Sequence, residues 1–102
     1  MMEYYDGQTV SISGKVFMDD YKEGHIGITA DAESAGMPGM NIVIIEKPGE
    51  YSLDVPANFG EVYIAANNIP KKGYSKYYSG HYAKNPVLVK DKAIKNINIT
   101  IE

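Results

Sequence analysis

Cysteine is absent from this chain. That excludes disulfides, thiolate metal sites, iron–sulfur clusters and cysteine nucleophiles together. Leucine occurs only as Leu53 and Leu88, while isoleucine and valine dominate the apolar residues. β-Branched side chains are stiff at χ1 and suit a pleated surface better than a helix. No apolar run approaches the roughly 20 residues of a membrane-spanning helix, so membrane insertion is not expected. Nor is there an excess of basic charge: the net charge is -3, with both signs spread along the chain. The basic footprint that phosphate binding needs is missing, which argues against nucleic acid as a partner. Residues 1–8 are polar and aromatic and lack the basic and apolar regions of a signal peptide. They fit either a cytosolic chain or a piece cut from a longer protein, and the doubled Met1-Met2 agrees with a start added to a fragment.

What is present has the size and apolar content of one globular domain, with 102 residues and 44% hydrophobic. Residues 1–8 read as a tail and residues 9–102 as a single domain. Glycine and proline punctuate the chain every dozen or so residues, the rhythm of a sandwich. A first strand is predicted over Thr9–Phe17, with Val10, Ile12, Gly14 and Val16 on one face. Others are predicted over 25–32, 39–46, 51–55, 61–67, 87–89 and 93–101. Ile97, Ile99 and Ile101 point inward in the last. The unbroken run Ile42-Val43-Ile44-Ile45 reads as a strand covered on both faces. Residues 68–85 show no period and read as a long loop carrying four tyrosines. The expected fold is all-β: a Greek-key antiparallel β-sandwich of about seven strands.

The order of signals carries a resemblance. Ile12-Ser13-Gly14-Lys15-Val16 opens the domain, and Gly24 precedes Ile26-Gly27-Ile28. Pro48-Gly49-Glu50-Tyr51-Ser52-Leu53 leads to Val55-Pro56. Gly60-Glu61-Val62-Tyr63-Ile64-Ala65-Ala66 follows, then Gly80-His81-Tyr82, Asn85-Pro86-Val87 and Ile97-Asn98-Ile99-Thr100-Ile101. From about Thr9 to Ile101 this resembles the carboxypeptidase regulatory-like domains, prealbumin-like (transthyretin-like) sandwiches of bacterial and archaeal surface proteins. The resemblance implies a prealbumin-like sandwich acting as a spacer, stalk or docking module in an extracytoplasmic protein. Many such domains carry an acidic loop after the Ala-Ala strand that looks able to hold calcium. Here Lys71 and Lys72 stand in place of the carboxylates, so no calcium site is expected there. Tyr51 is expected to bury its ring and give its hydroxyl to a neighbouring strand or loop.

The residues that could carry chemistry are few. Asp19, Asp20 and Glu23 form the densest carboxylate cluster. Without the spacing of a calcium loop they read as a solvated turn. His25 and His81 are the only histidines and make a thin basis for a metal site. Ser75 and Ser79 lie near His81 without a nucleophile elbow, and no glycine-rich phosphate loop is present. Asn98-Ile99-Thr100 matches a glycosylation acceptor but lies within a strand. No catalytic residue, metal or cofactor is assigned.

The remaining feature is aromatic. Tyr74, Tyr77, Tyr78 and Tyr82 fall close together, with His81 among them. Such rings cover much area at low entropic cost and keep a polar tip. They are the candidate ligand contacts; the plainer reading is that they staple a long loop over the edge of the sandwich. The first functional expectation is a non-catalytic structural or interaction module, cut from or accessory to a larger extracytoplasmic protein. Its partners would be neighbouring domains or another protein. The alternative is a carbohydrate-binding module using the tyrosine-rich stretch 74–82.

Overall fold

The computed structural model describes residues 8–31, 41–69 and 78–102. Among the described residues eight strands are formed: β1 (Thr9–Phe17), β2 (His25–Asp31), β3 (Asn41–Ile45), β4 (Glu50–Pro56), β5 (Gly60–Ile69), β6 (Tyr78–His81), β7 (Val87–Val89) and β8 (Ile99–Thr100). They make an all-β sandwich. One sheet has the order β4-β1-β8, the other β3-β2-β5-β6, with β7 also paired to β5. Period-2 alternation fixes which side chains enter the core. Along β4, Tyr51, Leu53 and Val55 are buried while Ser52 and Asp54 are exposed. Ile12, Ile26, Ile28 and Ile64 are fully enclosed between the sheets. Each such side chain contributes roughly 1.5–3 kcal/mol by leaving water.

The C-terminal segment closes the first sheet, and its placement depends on one glycine. Gly14 points inward from β1, and a Cβ there would overlap the backbone of Ile97. With no side chain in the way, the segment seats against β1, and Ile97 N donates to Ser13 O at 2.9 Å. Tyr51 lies across from Gly14 on β4. Its ring is buried and its hydroxyl donates to Ile97 O at 2.6 Å, as the sequence predicts for this tyrosine.

Several sequence expectations are corrected. The last strand is regular only over β8, because Asn96 adopts a left-handed φ of 64° and the chain bulges there. Beyond the bulge, Asn98 Oδ1 accepts from Lys15 N at 2.9 Å, where a carbonyl would otherwise sit. β8 pairs with β1 in parallel, not antiparallel. The chain reaches β1 from the opposite sheet, and a crossing between sheets does not impose the reversal that a hairpin does. β3 is not covered on both faces: Ile42 is 57% and Ile44 53% exposed, because among the described residues no second layer packs on the outer face of this sheet. An eighth strand, β6, lies within the stretch read as a loop. It is too short and too rich in Ser and Gly to signal itself, and it forms through pairing with β5.

These contacts generate three expectations. Tyr51→Ala should cost roughly 2–4 kcal/mol, as truncation of a buried aromatic does. Tyr51→Phe should cost about 1–2 kcal/mol, the loss of a partner for a buried carbonyl. Gly14→Ala, which needs β1 and the C-terminal segment to part, should cost about 3 kcal/mol or more. Urea midpoints check all three, and unchanged midpoints would place Tyr51 and Gly14 outside the structural lock.

A pH dependence follows as well. Burial of the ring, and secondarily the neighbouring Tyr82 phenol, raise the Tyr51 pKa well above its ordinary 10.0. The unfolded chain gives up that proton near pH ~10 and the folded chain keeps it. This contribution is therefore fully present below pH ~10 and declines above it by up to about 1.4 kcal/mol per unit. Tyr51→Phe should lose less stability than wild type between about pH 9 and pH 11; equal losses would contradict the assignment.

Candidate functional site

The outer face of the second sheet is built by register. Tyr63, Ala65 and Asn67 point outward from β5. On one side they meet Asp31, Thr29 and Gly27 of β2. On the other, Ala65 meets His81 and Asn67 meets Ser79 of β6. Residues far apart in the chain thus share one surface around Ala65, whose single methyl leaves the floor low. A concavity of about 920 Å³ opens here. It runs from Asp31 and Tyr63 past His81 to Asn98, Thr100 and Glu102 on the C-terminal segment.

Two local features shape it. The first is Gly80, where an added Cβ would overlap the Thr100 backbone. Its absence lets β6 and β8 close together at the edge of the sandwich, and Glu102 N reaches Ser79 O at 3.5 Å. The second is Asn85. Residues 82–86 interrupt what is otherwise one strand running along β5 as β6 and then β7. The Asn85 carboxamide fills the break: Ile64 N donates to its Oδ1 and its Nδ2 donates to Ile64 O, both at 3.0 Å. A side-chain amide here does the work of a peptide group in the ladder.

Among the described residues, the lining of the concavity holds the carboxylates of Asp31 and Glu102, the imidazole of His81 and no lysine. Asp31 Oδ1 is buried and accepts no hydrogen bond among the described residues. A buried acceptor left so costs about 1–3 kcal/mol.

Of the tyrosine-rich group, His81 is exposed and lines the concavity. Tyr78 and Tyr82 are half-buried and pack against the core. Tyr74, Tyr77 and Ser75 lie outside the described residues. Asp19, Asp20, Glu23 and His25 are exposed. Among the described residues, no group of three or more His, Asp or Glu side chains is placed to hold a metal ion. Asn98, the glycosylation match, is exposed, and its Oδ1 accepts from Lys15 N. Sequence reasoning missed Asp31, Tyr63, Asn67 and Asn85. Only the pairing of β2, β5 and β6 brings them together, and no local motif encodes it.

A second exposed feature lies at the far edge of the same sheet. Ile42 and Ile44 project from β3, and the side chains of Ile42 and Ile69 meet over Gly27. They form an apolar stripe across β3, β2 and β5.

Asn85→Ala should destabilise the domain by about 1–2 kcal/mol, since Ile64 N loses its acceptor while Ile64 O keeps only Tyr82 N. Thermal unfolding measures this, and a change within about 0.5 kcal/mol would mean that the gap is filled otherwise. No protein-family model matches the chain, and no curated protein and no solved structure matches it.

Proposed function

We propose that this domain is a non-catalytic structural and interaction module, part of or accessory to a larger extracytoplasmic protein, and that β3 is its docking edge. The observation that carries the reading is the character of that edge. Among the described residues Asn41–Ile45 ends its sheet; it contains no charge and no proline, and it exposes Ile42 and Ile44. Edge strands are ordinarily blunted by lysine, proline or bulges, because their free N–H and C=O groups template further pairing. An unblunted edge flanked by apolar side chains suits the addition of a strand from another β-domain. The order of motifs shared with carboxypeptidase regulatory-like domains supports the same reading, as does the use of polar side chains. Tyr21, Tyr51, Asn68 and Asn85 are spent on holding backbone groups.

The strand is also self-complementary. Antiparallel pairing centred on Val43 sets Ile42 of one copy opposite Ile44 of the other, an apolar pair with no like charges opposed. A second copy is therefore the partner in isolated protein. Sedimentation equilibrium from micromolar to millimolar concentration should show association, abolished by Ile44→Lys. Because Ile44 is exposed, that substitution should change stability by no more than about 0.5 kcal/mol. A wild-type domain that stays monomeric throughout would overturn the docking edge.

A further inference from the structure

We propose that two copies of this domain join through β3 in a single register, a two-fold about Val43 in which Ile42 and Ile44 exchange the backbone hydrogen bonds and the two sheets become one. The inference rests on the reading of β3 as a docking edge and fixes the geometry of that edge.

The direction of the β3 backbone groups follows from the far side of the same sheet. Ile64 turns its N–H and C=O towards Asn85 and Tyr82, on the β6 and β7 side of β5. Backbone groups alternate in direction along a strand, so those of Tyr63, Ala65 and Asn67 face β2. Their partners Asp31, Thr29 and Gly27 face back, which leaves Ile26, Ile28 and Ala30 to bond β3. These three meet Ile45, Val43 and Asn41. The N–H and C=O of Ile42 and Ile44 therefore point away from β2, out of the sheet edge. The same two residues carry the exposed side chains.

That coincidence selects the register. In an antiparallel ladder a hydrogen-bonded pair exchanges both of its N–H···O bonds. With Ile42 opposite Ile44 of the second copy, both residues of both copies are paired. A slip of two residues keeps one such pair within Asn41–Ile45, Ile42 with Ile42 or Ile44 with Ile44. Glu46 does not lengthen the ladder: it lies beyond β3, and its carbonyl oxygen is 3.2 Å from the Tyr21 hydroxyl. A slip of one residue sets outward groups opposite groups already bonded to β2.

The side chains agree with the backbone. A two-fold axis normal to the sheet keeps the outer faces of both copies on one side. Ile42 and Ile44 then meet their counterparts there as apolar cross-strand pairs. Ile42 and Ile69 already meet over Gly27, so the apolar stripe of one copy runs into that of the other. On the inner face Val43, half-buried in one copy, meets Val43 of the second as a non-hydrogen-bonded pair, the closer kind.

The test uses the intact chain, which has no cysteine of its own, with single cysteines introduced. In the proposed register the Cα atoms at position 43 lie about 4.5 Å apart, within the span of a disulfide. With oxidised glutathione and millimolar protein, Val43→Cys should cross-link to itself at least about tenfold faster than Lys92→Cys, because pairing raises the effective concentration. Lys92 is exposed and serves as the control. Ile44→Lys added to Val43→Cys should remove the excess. Ile42→Cys mixed with isotope-labelled Ile44→Cys should give mixed dimers well beyond the random share, read by mass spectrometry. The urea midpoint of reduced Val43→Cys shows whether it folds; the mixture, at exposed positions, decides the register if it does not. Sedimentation of the wild type separates the two failures. Association without the cross-linking excess, or with self-dimers of Ile42→Cys or Ile44→Cys prevailing, would overturn the register and leave the docking edge standing. No association at any concentration would overturn both.

Discussion

The fold depends on a contact where a side chain is missing. Gly14 lets the backbone of Ile97 lie against β1, and the hydroxyl of Tyr51 fixes it there from the neighbouring strand. Without that seat the first sheet would lose its third strand, and Ile97, Ile99 and Ile101 would leave the core. The lock combines two physical terms. Burial of the tyrosine ring supplies the energy, and its hydrogen bond to a carbonyl gives the docking its direction. A larger residue at position 14 would set these terms against each other.

Carboxamides complete what the ladders leave open. Asn85 bridges the break between β6 and β7, and Asn98 meets Lys15 beside the bulge at Asn96. Asn68, buried at the end of β5, donates to Glu23 O at 3.1 Å and His25 O at 3.2 Å, tying down the entry to β2. At the β6–β8 side the two sheets close through Gly80 and Thr100. Near the opposite edge the Tyr21 hydroxyl lies within hydrogen-bond reach of Gly24 O and Glu46 O, drawing the turn after β3 to the entry of β2. Among the described residues β3 is the last strand of its sheet.

The alternation of β1 and β4, the buried Tyr51 and the inward triad of the last segment were legible because period 2 and β-branching are local signals. The exposure of β3 was not, since an unbroken apolar run reads alike in a central strand and in an edge strand left uncovered. β6 was hidden because Tyr78-Ser79-Gly80-His81 has little intrinsic strand character and owes its conformation to β5. The concavity was the least legible feature. Asp31 and Tyr63 lie far apart in the chain, and only the register of β2 against β5 makes them neighbours. The sequence left the clustered tyrosines between ligand contact and packing; of these, Tyr78 and Tyr82 are half-buried and pack against the core.

The most direct test of the account is amide hydrogen exchange of the intact chain at two protein concentrations. The account predicts that Ser13, Ile97 and Ile101 exchange only through global unfolding at either concentration. The outward N–H groups of β3 should exchange rapidly in dilute protein and gain protection in concentrated protein, as the free edge acquires a partner. Fast local exchange at Ile97 would contradict the seating of the C-terminal segment on β1, and β3 protection independent of concentration would contradict the proposed pairing of its edge.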